Sequence, residues 1–295
     1  MPRALLPNGV ELELDQRGEG EPLLLVMGIG AQMILWPEGF CDALAAQGFR
    51  VIRFDNRDVG LSSKLDHLGM PEWRTLIPRM LLGLPVQSPY GLEEMAEDAV
   101  HLLDHLGIER AHVVGASMGG MIAQTMAFMY PHRVASLVSM MSHTGQPRVY
   151  VSEIRALRAL FGKVPRTKDE AIEGHVSLFR IIGSTGFETS EAEARERAAL
   201  SWERSHHPPG FVRQLGAIAA TGDRTTRLRF VKAPTLVVHG SVDPLIRPIG
   251  GRLTARAIPG ARLEMVEGMG HDLPRGAWPL LARMIADNAR VASTP

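Results

Sequence analysis

The sequence has a single cysteine, no long apolar run and no excess of either charge. Cys41 is the only cysteine in 295 residues, so a disulfide within the chain is excluded and a buried structural thiol is expected. No apolar run approaches the roughly 20 residues that a bilayer-spanning helix needs, so no membrane span is predicted. Lys and Arg total 32, as do Asp and Glu, which gives no electrostatic reason to expect a nucleic acid partner.

The N-terminal residues also lack a feature, namely the apolar core of a secretory signal peptide. Pro7 interrupts the little apolar sequence there. Cytoplasmic residence is therefore expected, while the oligomeric state stays open. The remaining composition, 45% hydrophobic and 22% charged, is typical of a globular protein, and the length suits one large α/β domain or a core with a lid.

A Gly-x-Ser-x-Gly motif stands near the middle of the chain, at Gly115-Ala116-Ser117-Met118-Gly119. A short β-branched run precedes it and an apolar helical pattern begins at once, which is the order of a nucleophile elbow. The small neighbours would tolerate a strained serine, although glycine-serine clusters also occur in ordinary turns. We interpret Ser117 as a candidate nucleophile, which then requires a base, an acid and an oxyanion hole.

Strand and helix patterns alternate through the first half of the chain. This alternation predicts an α/β fold with a mostly parallel sheet and helices on both faces. Residues 9–15 alternate apolar and acidic and predict a half-exposed edge strand, whereas the proline-containing stretch 64–90 predicts an irregular excursion. Further strands are expected at 22–27, 49–54, 111–114 and 134–141. Helices are expected at 36–47 and 91–106, and a third helix follows the Gly-x-Ser-x-Gly motif and runs to residue 130.

The strand pattern then stops from about residue 143 to residue 229. Two capping boxes, Thr167-x-x-Glu170 and Ser190-x-x-Glu193, predict helix starts, and helices are also expected at 151–162 and 210–220. Strands at 234–239 and 261–266 and a helix near 278–291 follow. We therefore predict a core of residues 1–143 and 229–295, with a helical cap at 144–228 inserted late in the sheet.

The partners of Ser117 should follow strands, because functional residues of an open α/β sheet gather beyond the carboxyl ends of its strands. Asp243 follows the strand 234–239 and is the expected acid, although an aspartate that caps its own turn is an alternative. His271 follows the strand 263–266 and is the expected base. Asp272 adjoins His271 and ranks below Asp243 as the acid.

An oxyanion hole needs two backbone N–H donors, one after the nucleophile and one from the loop after an early strand. Met118 supplies the first, and Ile29 within Gly28-Ile29-Gly30 is the expected second. A glycine-rich turn without a ligand is the alternative. Gly28, Gly30 and Met33 are expected to contact the substrate.

Together these motifs resemble those of α/β-hydrolases with a helical lid, over nearly the whole chain. They are most similar to the aclacinomycin methylesterase-like esterases. In one departure, Met27 stands where many relatives have histidine. The shared motifs are Asp55-Asn56-Arg57-Asp58-x-Gly60-x-Ser62, Pro89-Tyr90-Gly91, Gly115-Ala116-Ser117-Met118-Gly119-Gly120, Asp243-Pro244 and Gly268-Met269-Gly270-His271.

The resemblance implies an α/β-hydrolase fold and hydrolysis of a small-molecule carboxylic ester, with an acyl-enzyme on Ser117 and no cofactor or metal. Other triad chemistry stays open, namely carbon–carbon bond hydrolysis, lactone hydrolysis, perhydrolysis and acyl transfer, as does a non-catalytic small-molecule receptor. A serine at the elbow argues against the haloalkane dehalogenases and epoxide hydrolases, which use an aspartate there. Arg57 and Asp58 are expected to form a structural ion pair rather than to take part in catalysis.

Overall fold

The computed structural model describes residues 2–150 and 152–293. Its centre is an eight-stranded sheet with the spatial order β1-β2-β4-β3-β5-β6-β7-β8. The strands are β1 (Arg3–Leu5), β2 (Glu11–Arg17), β3 (Glu21–Val26), β4 (Phe49–Phe54), β5 (Ala111–Ala116), β6 (Val134–Met140), β7 (Thr235–Gly240) and β8 (Arg262–Val266). The helices are α1 (Glu38–Ala45), α2 (Trp73–Leu81), α3 (Leu92–His105), α4 (Met118–Met129), α5 (Ile154–Leu160), α6 (Lys168–Ile182), α7 (Glu191–Arg204), α8 (Pro208–Thr221), α9 (Thr225–Leu228), α10 (Ile249–Ala257) and α11 (Trp278–Ser293).

The sheet is parallel from β4 through β8, which confirms the predicted fold class. β2 pairs antiparallel with β1 on one side and with β4 on the other. The prediction that this strand is the half-exposed edge was therefore wrong, because β1 covers it. Glu13 of β2 is only 2% exposed, and its carboxylate accepts a hydrogen bond from Arg3 of β1.

Helices cover both faces of the sheet, as the alternating pattern predicted. One buried apolar cluster includes Leu102 of α3 and Met126 of α4. The other includes Phe40 of α1 and Leu281 of α11. Cys41 lies in this second cluster, where burial raises the pKa of its thiol to about 11. Its placement agrees with the expected structural role.

The helices α5 to α9 lie between β6 and β7, where the sequence shows no strand pattern. Thr167 and Ser190 accept hydrogen bonds from the N–H groups of Glu170 and Glu193, so both predicted helix starts are confirmed. The helix expected at 151–162 is α5, and that expected at 210–220 is α8. Val151, the first residue of the helix expected at 151–162, lies outside the described residues.

The stretch 64–90 is more regular than its prolines suggested. It contains a short 3-10 helix, Asp66–Leu68, and the nine-residue helix α2. Pro78 lies inside α2, where it removes one backbone donor, and Leu76 is 1% exposed and anchors the helix. Among the described residues, none of the helices is long and apolar enough to span a bilayer.

Candidate active site

Ser117 occupies a strained turn between β5 and α4. Its backbone has φ 57° and ψ −120°, a conformation that side-chain-bearing residues adopt at a cost of roughly 1–3 kcal/mol. Glycines at the neighbouring positions make the turn possible. A Cβ atom on Gly119 would lie 1.9 Å from the carbonyl oxygen of Val26, and one on Gly115 would lie 2.1 Å from that of Gly119. Strand, turn and helix therefore pack backbone against backbone.

The loop Gly28-Ile29-Gly30 lies beside this turn because β3 and β5 are parallel neighbours. A Cβ atom on Gly28 would lie 3.2 Å from Cβ of Ser117. The N–H of Gly30 donates to Oε1 of Gln214 at 2.7 Å, so this group is already used. Met118 begins α4, where an N–H has no carbonyl one turn earlier to bond within the helix.

The side chains of Asp243 and His271 are hydrogen-bonded. Their strands, β7 and β8, are parallel neighbours, and Oδ2 of Asp243 lies 2.7 Å from Nδ1 of His271. The other oxygen of the carboxylate accepts the backbone N–H groups of Leu245 and Ile246, each at 2.9 Å. Asp243 therefore does both things that the sequence suggested. One carboxylate oxygen caps the turn, and the other pairs with the histidine.

Asp272 does not take the place of Asp243. Its carboxylate accepts a hydrogen bond from the hydroxyl of Ser184, which lies just after α6, at 2.5 Å. Burial raises the pKa of Asp272, and the hydrogen bond from Ser184 opposes that rise. The geometry thus favours the acid that the sequence ranked first.

Two further histidines, His239 beside Asp243 and His143 near His239 and His271, escaped the sequence reasoning. Nε2 of His239 lies 2.7 Å from the carbonyl oxygen of Ile246, to which it donates, and 3.7 Å from Oδ2 of Asp243. Burial lowers the pKa of His239, and burial with the charge of Arg224 lowers that of His143 well below its usual value. Both imidazoles are therefore neutral near pH 7. A histidine inside a buried strand, such as His239, carries no sequence signal of this proximity.

A cavity of about 940 Å³ brings the predicted residues together. Ser117, His271 and the loop Gly28-Ile29-Gly30 line it, whereas Met33 lies outside the lining and is fully buried, with its N–H donated to Asp55. The expected substrate contact of Met33 is not supported, because its side chain is 0% exposed and does not border the cavity. Residues between β6 and β7 complete the wall, among them Leu160, His175, Val176, Leu178, Phe179, Ile182, Ala194, Arg197 and Phe211.

His175 lines the cavity, and burial together with the charge of Arg197 lowers the pKa of its imidazole to about 4. Its ring lies 4.5 Å from that of Phe179, centroid to centroid. This part of the wall therefore presents a neutral imidazole and an aromatic ring to a ligand at neutral pH.

Arg57 and Asp58 are both buried, but they do not pair with each other. Arg57 pairs with Asp98 of α3 at 2.6 Å, and Asp58 pairs with Arg213 of α8 at 2.7 Å. The expectation of one ion pair is corrected to two, because neighbouring side chains on this turn point to different helices. Their role is structural, as expected, and Arg213 ties the loop after β4 to α8.

Comparison with known proteins adds the family. The model of the family described as alpha/beta hydrolase fold matches residues 21–274. The rhodomycin D methylesterase DnrP of Streptomyces peucetius is 30% identical over 99% of this chain and 100% of its own length. A 2-hydroxy-6-oxononadienedioate/2-hydroxy-6-oxononatrienedioate hydrolase of Paraburkholderia phymatum is 30% identical over 90% of this chain and 87% of its own length.

Solved structures agree on the fold. A thermophilic esterase from Thermogutta terrifontis aligns with a TM-score of 0.72 and 23% identity, over 100% of both chains. A meta-cleavage product hydrolase from Pseudomonas fluorescens aligns with a TM-score of 0.76 and 21% identity, over 99% of this chain and 98% of that one.

Proposed function

The chain belongs to the alpha/beta hydrolase fold family, and from this premise we propose that it hydrolyses small-molecule carboxylic esters through Ser117. The observation that carries the proposal is the 2.7 Å hydrogen bond between His271 and Asp243 beside a cavity that Ser117 also lines. The similarity to a rhodomycin D methylesterase over nearly the whole chain supports the ester class.

In the proposed reaction, Nε2 of His271 takes the hydroxyl proton as Oγ of Ser117 attacks the ester carbonyl carbon. The tetrahedral intermediate collapses, the C–O bond to the alcohol breaks, and the imidazolium returns the proton to the departing oxygen. Water, deprotonated by His271, then attacks the acyl-enzyme and releases the carboxylic acid. Asp243 holds the ring with Nδ1 protonated and stabilises the imidazolium.

The oxyanion of the intermediate is proposed to accept hydrogen bonds from the N–H groups of Ile29 and Met118. Ile29 is preferred to Gly30 as the donor from this loop, because the N–H of Gly30 already donates to Gln214. The side chain of Gln214 also donates to the carbonyl of Arg57 at 2.8 Å, so it braces the loop from α8. One such donor typically contributes about 3 kcal/mol to stabilisation of the transition state.

The segment 144–228 is proposed to act as a cap on a core of residues 1–143 and 229–295. Its helices supply much of the cavity wall, and a volume of about 940 Å³ accommodates a ligand of drug size. Gly28 and Gly30 are proposed to contact the substrate because both line this cavity. Cytoplasmic residence stays a prediction from the sequence.

The test is the turnover of p-nitrophenyl acetate and p-nitrophenyl butyrate, followed by methyl esters of larger acids. The wild-type protein should hydrolyse the simple esters, and Ser117→Ala should lose activity about 10³-fold or more with its thermal transition unchanged. An absence of turnover with every ester would remove the proposal.

A second candidate, hydrolysis of a carbon–carbon bond, is favoured by the similarity to the 2-hydroxy-6-oxononadienedioate hydrolase over 90% of this chain. A 2-hydroxy-6-oxo-dienoate substrate separates the two candidates. Ester hydrolysis requires that kcat/KM for this compound stay below that for the best ester, and the reverse order would favour the second candidate.

A further inference from the structure

The loop that carries His271 is hydrogen-bonded at successive residues to the C-terminal end of α6 and the segment that follows it. The N–H of His271 donates to the carbonyl of Ile182 at 2.7 Å, and the N–H of Gly270 donates to Oγ of Ser184 at 2.9 Å. The hydroxyl of Ser184 donates in turn to Oδ1 of Asp272 at 2.5 Å. Three consecutive residues, with the imidazole on the middle one, are thus tied to one short segment.

The contact continues on the other side of the loop. The N–H groups of Thr185 and Gly186 both donate to the carbonyl of Gly268 at 2.9 Å. A Cβ atom on Gly268 would lie 2.6 Å from Cα of Gly186, and one on Gly270 would lie 2.4 Å from the carbonyl oxygen of Ile182. Segment and loop therefore meet backbone to backbone, with no room for a side chain between them.

Ser184 holds a central place in this contact because its hydroxyl both accepts and donates a hydrogen bond. It is buried, and its two partners, Gly270 and Asp272, are the chain neighbours of His271. An alanine could neither accept the N–H of Gly270 nor donate to the carboxylate of Asp272. The buried N–H would then lose its partner, and the carboxylate would keep the backbone hydrogen bond of residue 184 but lose that of the hydroxyl. The part of the loop that carries the imidazole would therefore be held less firmly.

We propose that Ser184 is a positioning residue for the imidazole of His271, acting through Gly270 and Asp272, so that the cap segment holds the base as well as covering the cavity. This inference rests on the proposed function, in which His271 is the base. The cap segment and the core then cannot separate at this point without moving the imidazole, and any opening of the cap must take place elsewhere.

The charges around the imidazole give a signature that a purely structural role would lack. The carboxylate of Asp243 is hydrogen-bonded to His271, and that of Asp272 interacts with it electrostatically. His239 and His143 are neutral, because burial lowers the pKa of each. A carboxylate near an imidazole favours the imidazolium. Burial raises the pKa of Asp272 and the Ser184 hydroxyl opposes that rise, so the serine favours the charged carboxylate beside the imidazole that becomes cationic in the reaction. Loss of the hydroxyl or of the charge should therefore lower kcat rather than raise KM.

The experiment compares Ser184→Ala and Asp272→Asn with the wild-type protein. Each is assayed for kcat and KM with p-nitrophenyl butyrate as a function of pH, and its folding is checked by thermal unfolding. Ser184→Ala should lower kcat by about 10-fold to 100-fold with little change in KM, since a small displacement of a catalytic group suffices for such a loss. Asp272→Asn should also lower kcat with little change in KM, because it removes a charge that favours the imidazolium.

Ser177→Ala is the matched control, since Ser177 is an exposed serine of α6 itself. It should leave kcat and KM unchanged. A folded Ser184→Ala variant with kcat within twofold of wild type would overturn the proposal. If Ser184→Ala does not fold, the Asp272→Asn variant is used instead, and a kcat within twofold of wild type for that variant also overturns the proposal. Failure of the proposed function is a separate result, because the wild-type protein itself would then show no ester turnover.

Discussion

Nδ1 of His271 lies 2.7 Å from Oδ2 of Asp243, although 28 positions separate the two residues in the chain. They meet because β7 and β8 are parallel neighbours and each residue lies in the loop after its strand. Asp243 is fully buried, and its other oxygen is held by two backbone N–H groups. The carboxylate therefore has a fixed direction, toward the imidazole.

The first prediction concerns this pair. Asp243→Asn keeps the shape of the side chain but removes the charge that holds Nδ1 protonated. We expect kcat to fall by about 10⁴-fold, because the ring would adopt the wrong tautomer and the imidazolium would lose its partner. The measurement is steady-state hydrolysis of p-nitrophenyl butyrate. Asp287→Asn, at an exposed aspartate of α11, is the control and should retain wild-type kcat. A kcat for Asp243→Asn within tenfold of wild type would refute the role of the pair.

The second prediction concerns the turn at Ser117. Gly119→Ala would place a Cβ atom 1.9 Å from the carbonyl oxygen of Val26, so we expect a loss of about 3 kcal/mol or more in the free energy of unfolding. Gly174→Ala is the matched control, because among the described residues no atom lies within 4 Å of a Cβ there. This exposed helical position should gain about 0.5–1 kcal/mol. Urea denaturation measures both, and equal midpoints for the two variants would contradict the close packing.

The third prediction concerns the buried pair Asp58 and Arg213. Burial alone would raise the pKa of Asp58, but hydrogen bonds from Arg213, the N–H of Leu65 and the hydroxyl of Tyr90 outweigh it and hold this pKa below its usual value. Arg213→Leu would leave the carboxylate buried without its cation. We expect a loss of about 3–5 kcal/mol in the free energy of unfolding at pH 7.

The pH dependence of this loss has a definite sign. Because the pKa of Asp58 is lower in the folded protein, its contribution to stability is present above the unfolded pKa of about 3.9 and is lost as the pH falls through the folded pKa. The gap between wild type and Arg213→Leu should therefore shrink as the pH is lowered. Denaturation at several pH values measures the gap. The exposed pair Arg290 and Asp287 is the control, and Arg290→Leu should cost less than about 1 kcal/mol. A gap for Arg213→Leu that stays constant as the pH is lowered from 7 to well below about 3.9 would contradict the account.

Much of the fold could be predicted because its strands are short apolar runs bounded by turn residues. The residues after these runs could be paired in advance because the carboxyl ends of parallel strands lie at one edge of the sheet. In this way the sequence anticipated that Asp243 and His271 come together, and that Ser117 and the loop around Ile29 share a cavity.

Other parts carried no usable signal. β1 has three residues, too few to show a period of two, and its absence from the prediction left β2 as a false edge. α2 contains Pro78 and lies in the stretch 64–90, whose prolines had predicted an irregular excursion. The contacts of Ser184 and Gln214 come from the helical insertion, whose packing on the core depends on tertiary structure rather than on local pattern.

The central claim, that Ser117 is the nucleophile, is tested most directly by labelling with a fluorophosphonate and locating the adduct by mass spectrometry. The account predicts one equivalent of label on the peptide that contains Ser117, with loss of esterase activity in proportion to labelling. Ser117→Ala should take up no label. Label on another residue that accounts for the lost activity, or an active esterase that leaves Ser117 unlabelled, would contradict the claim.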